Sequence, residues 1–345
     1  MPIPTEPIGS IPRPLELLAA PPSELSAATG RAVRETIQRL EETGSPVVTD
    51  GEQAKPNFAT YPIAGLSSLS PDGAVIPYAD GHQRQLPRLT EGPFRYTHRA
   101  VDYLKTAQSQ ASVPVKQAVI APSMLSLLYP PEGIDGYPVK AFLDDLASEA
   151  EADIRACLDA GAHVVQLDFT EARLSLKLDP SGSLLDNFIT LNNQVLERFS
   201  SEERARVGVQ SSPGADQDST HSLDVDYADL LPKLLQLRAG AFYLQMASES
   251  DPDRALSIIA EHLPADARVF IGVIDPIDPA VETPEQVRDR VLTAARHLPA
   301  DRLGTCDDSG FAPYADDTST SRETAFAKIA ARIQGTALAA KELGL

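Results

Sequence analysis

The chain predicts a single (β/α)8 barrel, and three observations lead there. From about residue 114 onward, short apolar runs alternate with segments of helical periodicity. Strand candidates along the whole chain number eight, enough to close a ring of parallel strands joined by right-handed crossovers. No glycine-rich dinucleotide turn follows the first strands, which disfavours an open doubly wound sheet.

Each element has a local reason. Glu6–Ser10 reads as the first strand, Ser23–Thr43 as a helix and Pro46–Thr49 as the second strand. Residues 53–113 carry no clear repeat. They are read as a long excursion, over or beside the barrel mouth, within one domain spanning 1–345. Val115–Pro122 is the third strand. In the helix Val139–Ala160, Phe142, Leu143, Leu146, Ala150, Ile154 and Leu158 recur near helical spacing, and Gly161 ends it. His163–Asp168 is the fourth strand, with a helix over Leu184–Phe199. The alternation continues with strand Arg206–Ser211, helix Tyr227–Leu237, strand Ala241–Met246 and helix Asp253–His262. Strand Val269–Ile274, helix Pro284–His297, strand Leu303–Thr305 and a helix from Ser321 to Leu343 complete it. Thr283 before Pro284 is an N-cap with proline at the first helical position.

Composition narrows the function classes. With 42% hydrophobic and 23% charged residues the chain is globular and has ample core. No apolar run is long enough to span a bilayer, and Met1–Glu6 has neither a basic start nor an apolar core, so no membrane partner and no signal peptide are expected. A net charge of −19 argues against nucleic acid as partner. Two cysteines, Cys157 and Cys306, are too few for a disulfide framework and suit a reducing cytoplasm. A small molecule is the expected partner; a homo-oligomer stays open.

Reactive groups of such a barrel sit at the carboxyl ends of its strands. In order these ends read Ser10, Asp50/Glu52, Ser123, Asp168/Glu171, Gln210/Ser212, Gln245, Asp275 and Asp307/Asp308. So many carboxylates around one mouth suit an amino-bearing ligand or a metal, although acids also cap helices. His221, in the polar loop Asp218–Ser222, is the best candidate general acid or base, with Asp307 as a second catalytic candidate. Cys306 reads better as rim packing than as a reactive thiol.

Three motifs at these strand ends, and a fourth segment further on, carry a family resemblance. Pro7-Ile8-Gly9-Ser10-Ile11-Pro12-Arg13, Val48-Thr49-Asp50-Gly51-Glu52 and Gln166-Leu167-Asp168 resemble motifs of the cobalamin-independent methionine synthases, in order. Asp317–Arg322, at the start of the last helix, extends the likeness nearly to the C-terminus. The resemblance implies that Ile8, Ser10, Glu52 and Asp168 hold the amino-acid part of a substrate. It covers one catalytic barrel and not the N-terminal barrel of the long synthases, so a folate methyl donor stays open.

The chain departs from that family at its metal. The resemblance implies zinc ligands in a His-x-Cys pair, a carboxylate on the next strand and a late cysteine. Here those frames, Gly208–Gly214, Phe242–Glu249 and Gly304–Phe311, present Gln210 and Ser212, Gln245, and Ser309. Carboxamide and hydroxyl oxygens are poor substitutes for imidazole and thiolate on zinc. No metal ligand is therefore assigned, and Gln210, Ser212, Gln245 and Ser309 are expected to line a substrate pocket instead. A relocated zinc site from Cys306, His221, Asp307 and Glu249 is the disfavoured alternative. The expected function is that of a methyltransferase-family enzyme acting on an amino acid or amine without zinc. A metal-free lyase or decarboxylase on the same barrel, or a non-catalytic ligand binder, stays open.

Overall fold

A computed structural model describes residues 3–345. Six parallel strands form one continuous sheet, in the order Gln117–Ile120, Val165–Asp168, Val207–Ser211, Ala241–Leu244, Arg268–Gly272 and Leu303–Cys306. The two N-terminal strand candidates complete the ring by single bridges: Thr5 pairs with Thr305 at one edge, and Val48 with Val115 at the other. They meet each other where Ile11 N–H donates to the Gly51 carbonyl (3.0 Å) and the Thr49 hydroxyl donates to the Gly9 carbonyl (3.0 Å). The expected eight-membered order is thus present, but its first two members are irregular. Pro4, Pro7, Pro12 and Pro46 explain this, since proline cannot donate to a strand ladder.

The strands sort their side chains to two cores. Val165, Leu167, Val209, Phe242, Leu244, Val269 and Ile271 face the helices. Ile8, Ala241, Tyr243, Phe270 and Cys306 pack in a separate cluster inside the ring. The Tyr243 and Phe270 rings stack there, 4.6 Å between centroids, and fill the barrel interior. The space exists because their neighbours are Gly208 and Gly304: a Cβ on either would fall 2.5 Å or less from those rings.

Helices follow their capping and periodicity signals. Thr283 and Gln286 make a reciprocal capping box at Pro284–Ala295. Val139–Asp159 buries Phe142, Leu146, Ala150, Ile154, Cys157 and Leu158 on one face. Among the described residues, two helices of eight residues or more were not expected from the sequence, besides the short turns Leu15–Leu18, Pro122–Ser126 and Ser201–Arg204. Glu171–Leu178 lies between the fourth strand and Ser183–Leu196. Ala100–Gln108, inside the stretch read as lacking repeats, buries Ala100, Leu104 and Ala107 and packs on Val139–Asp159 and Gln117–Ile120. It occupies the barrel-helix place after the second strand, so only residues 53–99 form the excursion proper.

That excursion covers the mouth. It carries two short antiparallel pairs, Leu69–Ser70 with Arg88–Leu89 and Val75–Pro77 with Gln83–Gln85. Its tip is clamped to a hairpin, Ala215–Asp216 with Ser219–Thr220, that follows the fifth barrel strand. Ala79 N–H donates to the Thr220 carbonyl (2.9 Å), and Arg84 grips buried Asp216 through two bonds (2.5 and 3.0 Å). Such a bidentate pair sets both position and angle. Among the described residues, no helix is long and apolar enough to cross a membrane.

Candidate active site

Under the excursion lies a cavity of about 530 Å³, mouth included. Its floor is made of strand ends: Ile8, Gly9, Ser10, Glu52, Asp168, Gln210, Ser212 and Ser309. Phe58, Ile76, Tyr78, Pro313 and Tyr314 supply aromatic and apolar walls, and His221 enters from the hairpin loop. Seven of the eight residues expected to bind substrate therefore meet in one place, together with His221.

The two carboxylates are built differently. Glu52 sits at φ +56°, a strained left-handed conformation for a residue with a side chain, costing roughly 1–3 kcal/mol. Four bonds impose it. Asp50 Oδ1 accepts from Glu52 N–H (3.0 Å), while the Glu52 carbonyl accepts from Arg13 Nη2 (2.8 Å) and Lys55 N–H (3.1 Å). The fourth is an ion pair between Glu52 Oε1 and Lys55 Nζ (2.9 Å), with both side chains almost wholly buried. Burial alone would lower the Lys55 pKa, but Glu52 and Asp50 outweigh it and raise the pKa instead, keeping the ammonium charged. Lys55 also donates to the Ala118 carbonyl (3.0 Å) and lies 4.5 Å from the Tyr61 ring centroid. Asp168 has no such cation. Its Oδ1 accepts from Gln166 Nε2 (2.7 Å), which also donates to the Ile8 carbonyl (3.1 Å) and so ties the Gln-x-Asp strand to the first segment. Burial, then the nearby Glu52 charge, push its carboxyl up to about 7. The mouth therefore holds one neutralised carboxylate and one that a ligand cation would ionise.

Around them stand neutral groups. Ser10 Oγ accepts from Ala312 N–H (3.2 Å), Ser309 Oγ donates to the Gly310 carbonyl (3.2 Å), and Ser212 Oγ accepts from Gly214 N–H (3.4 Å). Gln210 Nε2 makes only a long contact, 3.5 Å, to the Asp308 carbonyl. His221 Nδ1 lies 2.8 Å from Ser222 Oγ, and its ring covers Gly214, where a Cβ would fall 1.8 Å from Nε2. Burial, with help from Lys177 and Arg173, pushes the His221 imidazolium down to about 3, so the ring is neutral at physiological pH.

Two candidates lie elsewhere. Asp307 does not line the cavity: it is fully buried in an ion pair with Arg332 Nη1 (2.6 Å), which also donates to the Glu6 carbonyl (2.7 Å). That pairing makes it a structural acid, which corrects its place as a catalytic candidate. Gln245 also misses the cavity. Its Oε1 accepts from Arg173 Nη1 (2.9 Å) and its Nε2 donates to Glu249 Oε2 (3.1 Å). The relocated zinc set does not converge either. Cys306 Sγ faces the Phe270 carbonyl (3.5 Å) inside the barrel, Asp307 is on Arg332, Glu249 is on Arg173 (3.3 Å), and only His221 reaches the cavity. Among the described residues, no group of three or more His, Cys, Asp or Glu side chains is arranged to hold a metal ion. The oxygens of Gln210, Ser212 and Ser309 do not fit zinc, which favours nitrogen and sulfur donors.

Lys55 and the walls are not among the residues expected from the sequence. Lys55 stands three residues after Glu52, a spacing that brings side chains together across a turn and so was a readable signal. Phe58, Tyr78 and Tyr314 sit in loops and Ile76 in a three-residue strand too short to show periodicity, so they left none.

Comparison with known proteins bears on the family and the fold. The family model described as the cobalamin-independent synthase catalytic domain matches residues 18–331. A 5-methyltetrahydropteroyltriglutamate–homocysteine methyltransferase of Synechococcus sp. (strain JA-2-3B'a(2-13)) is 26% identical over 324 residues, 90% of this chain and 40% of that protein. The enzyme of the same name from Salmonella arizonae is 26% identical over 320 residues, again 40% of its length. The chain thus spans about 40% of these relatives. Among solved structures, a B12-independent methionine synthase from Shewanella sp. W3-18-1, in complex with selenomethionine, superposes with a TM-score of 0.81 at 21% identity, covering 99% of both chains. A Listeria monocytogenes protein described as a putative vitamin-B12 independent methionine synthase gives 0.71 at 19%, covering 97% of both. These two likenesses establish the fold. With the family model matched over nearly the whole length, the chain belongs to the cobalamin-independent synthase catalytic-domain family.

Proposed function

We propose that the protein is a methyltransferase-family enzyme that binds an amino acid or amine-bearing small molecule and works without zinc. The observation that carries this reading is the contrast inside one cavity. The groups suited to an α-amino acid, Ser10, Glu52 and Asp168, are kept there, while the frames of the family's metal ligands present Gln210, Ser212 and Ser309. Asp168 and Glu52 would take the ammonium by charge-assisted hydrogen bonds. Ser10 Oγ, with backbone N–H groups beside it, would take an acidic group. The walls of Phe58, Tyr78 and Tyr314 would limit water around a bound ligand and so strengthen both contacts. The reacting group would then be a nucleophile that needs no metal-bound thiolate. A folate methyl donor remains a candidate co-substrate.

Calorimetry with L-methionine and L-homocysteine tests the binding step. The wild-type protein should bind at least one of them, and Asp168→Asn should weaken it by about a hundredfold, the scale expected when one of two groups holding a desolvated charge is lost. Equal affinity in wild type, Glu52→Gln and Asp168→Asn, all natively folded, would contradict the assignment.

A further inference from the structure

One side of the cavity carries a polar group that the amino-acid clasp does not use. His221 is 3% exposed, and its Nε2 makes no hydrogen bond to any described protein group. One tautomer satisfies both contacts of its neighbour Ser222 at once. The Ser222 hydroxyl has a single proton, which it donates to the Pro213 carbonyl (3.2 Å). Ser222 Oγ is then left to accept from His221 Nδ1–H (2.8 Å). In that tautomer Nε2 carries a bare lone pair.

The loop that presents this ring is held from two sides. His221 N–H donates back to the Pro213 and Gly214 carbonyls (3.2 and 3.3 Å). From the Glu171–Leu178 helix, Lys177 Nζ donates to the His221 carbonyl (3.1 Å), and Arg173 donates to the carbonyls of Leu223 (3.1 Å) and Val225 (2.9 Å). Gln245 and Glu249 in turn fix Arg173 (2.9 and 3.3 Å). The Gln245 frame, where the resemblance places a carboxylate ligand, here anchors the histidine loop. The ring itself is wedged edge-on against Tyr78, 5.5 Å between centroids.

Charge in the cavity is confined to Glu52 and Asp168 on the floor. Every other lining group is neutral, and the two cations nearest His221 spend their donors on backbone carbonyls, Asp224 and the Gln245–Glu249 pair.

Building on the amine-binding reading above, we infer that His221 Nε2 is a fixed hydrogen-bond acceptor that selects a ligand whose end remote from the ammonium is a neutral donor, such as a hydroxyl or an amide N–H. A carboxylate there would meet a lone pair and no cation. An apolar end would leave Nε2 buried and unpaired, and buried polar groups without partners are penalised. Sites built to bond a ligand hydroxyl discriminate strongly against the analogue that lacks it.

The test uses three α-amino acids of one chain length on the intact protein: L-homoserine, L-2-aminobutyrate and L-aspartate. Calorimetry should show homoserine bound about tenfold or more tighter than 2-aminobutyrate, with aspartate weakest. His221→Leu should abolish the homoserine advantage by weakening homoserine and binding 2-aminobutyrate at least as tightly as the native protein, since no lone pair is left to strand; a merely structural histidine would weaken both alike. Nitrogen NMR of histidine-labelled protein, with His221 assigned by its loss in the variant, should show the Nδ1–H tautomer at neutral pH. An Nε2–H tautomer, or equal affinity for homoserine and 2-aminobutyrate, overturns the inference alone. If none of the three binds, the amine-binding reading falls and the inference with it.

Discussion

Two buried carboxylates in the same barrel, Glu6 and Asp168, have opposite ionisation behaviour. Both are more than nine-tenths inaccessible, and burial pushes both upward. Glu6 is surrounded by compensation: Lys116 Nζ at 3.4 Å, His163 Nε2 at 3.3 Å and the Tyr243 hydroxyl at 2.6 Å. Those partners, Lys116 foremost, outweigh burial and bring it down to about 2. Asp168 has one carboxamide donor and a second carboxylate nearby, and stands at about 7. The two acids differ in whether a cation lies within ion-pair distance. Inside the barrel, acids are paired and hold the fold. At the mouth, an acid is left without a cation.

The largest effect should come from breaking the paired end. Glu6→Gln leaves Lys116 buried without its counter-charge and should cost roughly 3–5 kcal/mol of stability. Denaturant unfolding reads it directly. A loss under about 1 kcal/mol would mean that Tyr243 and His163 carry the site without the charge.

Asp168→Asn should do the reverse. Because the folded-state pKa lies above the ordinary value of 3.8, the native protein retains a proton from about pH 4 to 7 that the unfolded chain gives up. Stability therefore falls as pH rises through that window and levels off above 7. The asparagine variant should lose this slope and gain on the order of 1 kcal/mol or more at pH 8, at the expense of binding. Thermal melts of both proteins between pH 4 and 8 would show it, and parallel curves would contradict it.

The same carboxyl should govern affinity. A ligand ammonium needs ionised Asp168, so binding should weaken by about tenfold per pH unit below 7 and flatten just above it. Calorimetric affinities for an amine-bearing ligand at pH 5, 6 and 7 give the slope. A flat profile would assign the ammonium to Glu52 alone.

The smallest effect is expected at Cys306. Buried against the Phe270 carbonyl, its thiol is pushed well above the ordinary range, so iodoacetamide should leave it unmodified in the native state. Rapid alkylation would place it in the chemistry after all.

Much of this was legible in the sequence, for identifiable reasons. Most strands and helices from residue 114 onward follow periodicity and caps, Glu171–Leu178 excepted, and Thr283 caps its helix as read. Ser10, Glu52, Asp168, Gln210, Ser212 and Ser309 meet at one cavity because strand ends of a barrel converge by construction. Asp307 and Gln245 fall at strand ends too, yet long-range partners, Arg332 and Arg173, draw them away. Those partners lie 25 and 72 residues distant in sequence, beyond any local pattern. The roof was hidden for another reason: residues 53–99 owe their shape to clamps such as Arg84–Asp216, which no periodicity announces.

Elemental analysis of the protein purified from zinc-replete cells reads the loss of the metal without an intermediary. With Gln210, Ser212 and Ser309 in the ligand frames, zinc should be well below one per chain and lost on brief treatment with a chelator. About one zinc per chain, retained through that treatment, would contradict the account.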